Sequence, residues 1–164
     1  MAVGLEDLKV LQIAEVIADD IWQRVSVWDT FARDVVGGQL CRAADSIGAN
    51  IAESFGRFNY GEKIQFLYYA RGSLFETKYW LNRVLRRELM PAPSVQAHIE
   101  KMSDLARQLN LFVASLKSQK KSVTVQKPIL REEKVEYITE RITPDAEFIT
   151  DDELIWLASP IPNL

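Results

Sequence analysis

Ser46, Asn50, Glu53 and Arg57 follow one another at steps of three and four residues within "CRAADSIGANIAESFGRF" (41–58). On a helix such residues are neighbours along one stripe, so a carboxylate, a guanidinium, an amide and a hydroxyl line up. A partly buried carboxylate needs a partner, and Arg57, four residues beyond Glu53, can supply one. The stripe has two readings. The first is a structural polar network at a tight helix crossing. The second is a catalytic or ligand-binding carboxylate. A single Glu with no second acid at matching spacing makes weak acid–base chemistry, so the structural reading is preferred.

Other chemistries find little support. His98 and Cys41 are the only residues of their kinds, so one chain cannot build a Cys/His zinc site, and no metal is expected. No Glu-x-x-His pair precedes His98 for a di-iron bundle, and neither phosphate-loop motif occurs. His98 is expected on an exposed stretch of the fourth helix. Neither a catalytic residue nor a cofactor is expected, and the chain is read as a non-enzyme. A lone cysteine also forbids an intrachain disulfide, as suits a reducing compartment.

These residues are held by helices. Val10, Ala14, Ile17, Ile21, Val25 and Trp28 recur at three-four spacing over Leu5 to Trp28, one face of a helix. "DTFARDVVGG" interrupts the pattern: Gly37-Gly38 suits a helix interior poorly, and Asp34 is placed to cap the next helix. This second helix presents Leu40, Ala44, Ile47, Ile51, Phe55 and Phe58. Along it Ala44, Gly48, Ala52 and Gly56 form a bare row, which predicts close packing against another helix. Asn59 and Glu62 have capping-box spacing and open a third helix to about Glu88. "MPAPS" stops it, and Ser94 is expected to cap a fourth helix with Ile99, Met102, Ala106, Leu109, Val113 and Leu116 inward. The expected fold is all-α, an antiparallel up-down four-helix bundle over 1–118.

Residues 119–164 read as an acidic C-terminal tail of irregular or short-strand structure. "SVTVQKP" and "KVEYITERI" alternate like strands, and Thr150 with Glu153 predicts one capped helical turn. Net charge is uneven. Residues 24–121 carry 15 Lys and Arg against 9 acids, whereas residues 122–164 carry 4 against 9. The tail's apolar content, including Phe148, Ile149, Leu154, Trp156 and Leu157, predicts that it docks on its own bundle, a neighbouring copy or a partner. No apolar run is long enough to span a membrane.

"QLCRAADSIGANIAESFGR" followed by "FLYYARGSLFETKYWL" closely resembles the four-helix-bundle family of bacterial 23S rRNA intervening-sequence proteins, which includes accessory variability proteins of diversity-generating retroelements. The shared elements are Gln39-Leu40, Arg42-Ala43-Ala44, Ser46-Ile47, Asn50-Ile51-Ala52-Glu53, Gly56-Arg57, and Ala70-Arg71-Gly72-Ser73-Leu74 with Glu76, over roughly residues 10–118. Ser54 stands where the family usually has Gly, and Gly48 where Pro is common. The resemblance implies a bacterial cytoplasmic protein without enzymatic activity that forms a homo-oligomer, often a pentamer. For retroelement members it implies binding of RNA or DNA and of a reverse transcriptase.

The third helix is apolar on more than one side. Leu67, Ala70, Leu74, Leu81 and Leu85 suit the core, while Ile64, Tyr68, Phe75 and Tyr79 lie on a second face and Phe66, Tyr69 and Trp80 on a third. A helix apolar on several sides is buried on several sides, which predicts subunit contacts, or cover by the tail. Aromatics interleaved with cations also suit base stacking and phosphate contact. The nucleic-acid-binding set is Arg42, Arg57, Arg71, Lys78, Arg83, Arg86 and Arg87 with Tyr68 and Tyr79. The expected function is an oligomeric accessory protein that binds nucleic acid and a partner protein. The alternative is an interaction scaffold whose tail recruits a partner without nucleic acid.

Overall fold

The computed structural model describes residues 4–124 and 147–160, with side-chain surroundings described to 119 and over 147–160. After a short 3₁₀ turn at Leu5–Asp7 come α1 (Lys9–Val25), α2 (Gly38–Gly56), α3 (Tyr60–Arg86), α4 (Ala92–Thr124) and α5 (Asp151–Ala158). The described residues contain no strand. Helix α1 packs on α2, α2 on α3, α3 on α4, and α4 back on α1. Short connections around such a square give the antiparallel up-down bundle. Its centre is filled by fully buried side chains from all four helices, among them Ile17, Ile21, Ile47, Ile51, Leu67, Leu74, Met102 and Leu109.

The glycine pair is not a break. Asp29, not Asp34, caps the segment: its Oδ1 accepts from the Ala32 amide at 3.0 Å. Thr30–Ala32 then runs through a π-helical turn at Arg33–Gly37 directly into α2. Asp34 lies in that turn and faces Arg33 at 3.8 Å. Gly37 is required by close approach, since a Cβ there would lie 2.4 Å from Val25 Cγ1.

The bare row is only half covered. Ala44 is buried, and a Cβ on Gly48 would sit 3.6 Å from Leu11 Cδ1 and 3.8 Å from the Ala14 Cβ. That is ordinary van der Waals contact with α1. Ala52 is half-buried, and a Cβ on Gly56 would meet nothing within 4 Å.

Three expected helix ends differ. Asn59 precedes α3 without a side-chain capping bond. Helix α4 starts two residues before Ser94, where the Pro91 carbonyl accepts from Ser94 N at 2.9 Å and Val95 N at 3.2 Å. Pro93 is tolerated there because first-turn amides need no intrahelical acceptor. Helix α3 ends in a Schellman turn, with Leu89 N donating to Val84 O and Glu88 N to Leu85 O, both at 3.0 Å. Glu88 takes the left-handed position, φ 57°, usually given to Gly.

Helix α4 also runs past residue 118 to Thr124. Residues 122–124 of the first strand-like stretch are therefore helical. The remainder of that stretch, and all of "KVEYITERI", lie outside the described residues. The capped turn at Thr150 does form: Glu153 N donates to Thr150 Oγ1 at 3.3 Å, and Thr150 N to Glu153 Oε2 at 2.9 Å.

Candidate nucleic-acid interface

The basic and aromatic residues of α3 fall into two groups, divided by the C-terminal segment. Residues 147–160 lie against α3 and α4. Asn110 on α4 reads the backbone of Ile149 in both directions, donating to its carbonyl and accepting from its amide, each at 2.8 Å. Phe148, Ile149 and Leu157 are buried in the same core as the bundle. Phe148 packs on Tyr68 with ring centroids 4.9 Å apart. Trp156 stacks on Phe75 at 5.3 Å with planes 4° apart.

Two cations complete this contact. Arg71 pairs with Glu153, so the carboxylate that caps the first turn of α5 also holds it to α3. Lys78 is 2% exposed. Its Nζ donates to the carbonyls of Trp156, Leu157 and Ser159, the last two at 2.8 and 2.9 Å. Terminal carbonyls of a helix lack intrahelical donors, and a cation there also suits the helix dipole. Burial pushes the Lys78 pKa down to about 8, while the carbonyls favour its charged form. Burial likewise pushes the Tyr68 hydroxyl up, against the opposing effect of Arg71. Tyr68, Arg71 and Lys78 are thus engaged by the docked segment 147–160.

The other group is open. Tyr79 is 52% exposed, and the Arg83 guanidinium lies 5.7 Å from the centre of its ring. Arg86 and Arg87 come next, exposed at the end of α3. On a 100° helical wheel Tyr79, Arg83 and Arg86 share one face. Arg42 is exposed on α2. Among the described residues no carboxylate pairs with Arg42, Arg83, Arg86 or Arg87. Arg57 is set apart near the start of α3, paired with Glu53 and 4.4 Å over the Phe66 ring. From Phe66 to Tyr79 is ~20 Å along the helix.

Ser46, Asn50, Glu53 and Arg57 do not form one buried network. Asn50 Nδ2 donates to the Ser46 carbonyl at 2.8 Å, and Glu53 pairs with Arg57 on a half-exposed surface. The buried polar residue here is Ser54, whose hydroxyl donates to the Lys63 carbonyl at 2.9 Å and ties the end of α2 to α3. His98 is also buried, not exposed. Its Nδ1 lies 2.7 Å from the Ser94 carbonyl, which makes Nδ1 the protonated nitrogen when the ring is neutral, and Nε2 has no partner. Periodicity hid this, because His98 directly precedes the core residue Ile99.

The tail covers Tyr68 and Phe75, but other large apolar side chains stay bare. Val27 is 83% and Phe31 77% exposed, with Trp22 and Val35 near them in sequence. Phe58, Tyr69 and Leu111 are exposed as well. The Val27–Phe31 surface carries no sequence signal, because Val27 lies off the apolar face of the first expected helix and Phe31 falls in the apparent break after it.

Among the described residues no cluster of His, Cys, Asp and Glu has the makings of a metal site. Likewise no described helix is long and apolar enough to cross a membrane.

The fold defines an all-α bundle carrying an open arginine–tyrosine surface at one end of α3. The family described as 23S rRNA-intervening sequence protein matches residues 6–111, and the chain belongs to it. No curated protein matches the chain. The family match covers α1 to α3 and most of α4, and ends before the docked segment.

Proposed function

We propose that this protein is a non-enzymatic, oligomeric accessory protein of the bacterial cytoplasm that binds RNA or DNA through the end of α3. The observation that carries this reading is the grouping of exposed Tyr79, Arg86 and Arg87 with half-buried Arg83, all without acidic partners among the described residues. An exposed ring beside guanidinium groups offers a stacking platform with phosphate contacts. Arg57, Arg71 and Lys78 already hold Glu53, Glu153 and α5 carbonyls, so the open group takes the main role. Bare Val27, Phe31 and Trp22 supply the apolar surface for assembly, for which five copies is the family expectation. A partner enzyme such as a reverse transcriptase fits the same accessory role.

The alternative scaffold reading gives that role to the tail. The docked segment weighs against it, because Phe148, Ile149 and Leu157 are spent on the chain's own bundle. Titration of labelled RNA and DNA at rising salt separates the two readings. Phosphate binding weakens steeply with salt, whereas the scaffold reading expects no binding even at low salt.

A further inference from the structure

We propose that the α3–α4 groove is a helix-binding site that a second copy of this chain fills with its own residues 147–160, so that copies exchange tails. The groove is chemically specific. Arg71 takes a carboxylate, Phe75 stacks an indole, Lys78 gathers the last carbonyls of a helix, and Asn110 pairs with the backbone of the bend ahead of it. Helix-in-groove recognition uses such anchors at helical spacing. The segment seen to satisfy all four is this chain's own.

Chain length leaves the choice of copy open. Asn110, which holds Ile149, lies 14 residues before the end of α4 at Thr124, ~21 Å along the helix axis. The 22 residues between Thr124 and Glu147 can reach ~75 Å when extended. The connection is thus several times longer than a return to its own groove demands. Exchange preserves every contact, so reach and local concentration decide between the two arrangements. This inference rests on the assembly proposed above, in which the reach of the connection allows a neighbouring groove to be filled.

Two full-length variants test this. Arg71→Glu sets a carboxylate against Glu153, and Glu153→Arg sets two guanidinium groups together. Each alone should lower hydrogen-exchange protection of 150–158 by about tenfold or more, as like charges repel at a partly buried contact. Both residues keep some exposure, so the bundle should remain folded. In an equimolar mixture each groove meets a complementary tail only on the other variant. Exchange predicts that protection returns in the mixture. A mixture that stays as unprotected as the separate variants, while the double variant R71E/E153R recovers within one chain, overturns exchange. Full protection in either single variant also overturns it, since the ion pair would then not hold the segment.

Discussion

Lys78 Nζ and the Leu157 carbonyl lie 2.8 Å apart, joining the middle of α3 to the last turn of α5 across 79 residues of sequence. The bond is buried, and it comes with two more from the same amine. Hydrogen bonds to a charged group contribute about 1.5–3 kcal/mol each, enough to decide whether an eight-residue helix stays docked. Isolated helices of that length are not stable in water.

Lys78→Met keeps most of the apolar stem and removes the donor. Hydrogen exchange should show residues 150–158 losing protection by about tenfold or more, since a loss of about 1.4 kcal/mol is already tenfold. Protection of α1 and α2 should change little. Unaltered protection of 150–158 would mean that apolar burial alone holds the segment.

His98 predicts a loss of stability in mild acid. Burial holds its pKa below 6.5, so between the folded value and 6.5 the unfolded chain binds a proton that the folded chain does not. Stability is then fully present above 6.5 and falls as pH drops through that window. Asp20 is lowered from 3.8, chiefly by the Lys101 hydrogen bond, and adds its own loss only at lower pH. Thermal melts from about pH 7.5 to about pH 5 should show a falling midpoint for the natural chain and a flatter profile for His98→Leu. Equal slopes would place the sensitivity elsewhere.

Glycines in the second helical segment should respond in opposite directions. Gly37→Ala drives a methyl against buried Val25 and should destabilise by about 1–3 kcal/mol, the usual range for overpacking. Gly48→Ala makes only ordinary contacts with Leu11 and Ala14 and should be neutral or stabilising by up to about 1 kcal/mol, because Ala favours the helix. Denaturant midpoints of the two variants test both. Gly48→Leu should still be harmful, since the extra carbons point at α1.

Assembly is tested by light scattering behind a sizing column. A chain of 18.7 kDa should run as a multiple of that mass, with five copies expected, and Phe31→Ser should shift the mass downward. A monomer at micromolar concentration would leave Val27 and Phe31 bare in solution and contradict the assembly.

The bundle was legible because its signal is periodic. The core residues of the fourth helix, from Ile99 to Leu116, keep the three-four pattern and are all buried. The capped turn at Thr150 was legible because a capping box is local. What escaped depends on distant partners. The Gly37-Gly38 pair reads as a break until the close approach of Val25 is known. Lys78 and Arg71 read as free surface cations, because nothing near them in sequence announces that α5 will cover them. Asn110 carries no signal in its helix, and its partner is 39 residues away.

The central claim is that the end of α3 contacts phosphates, and the salt dependence of binding measures it most directly. Log-log plots of affinity against salt should be compared for the natural chain, the variant R83A/R86A/R87A, and Arg107→Ala, whose arginine already pairs with Asp104. Each lost phosphate contact should lower the slope by about 0.7 on single strands or about 0.9 on duplex. The account predicts that the triple variant loses about 2 units of slope on single strands, or about 2.7 on duplex, and most of its affinity, while Arg107→Ala changes neither. Equal slopes and affinities for all three proteins, or no binding by the natural chain at low salt, would contradict it.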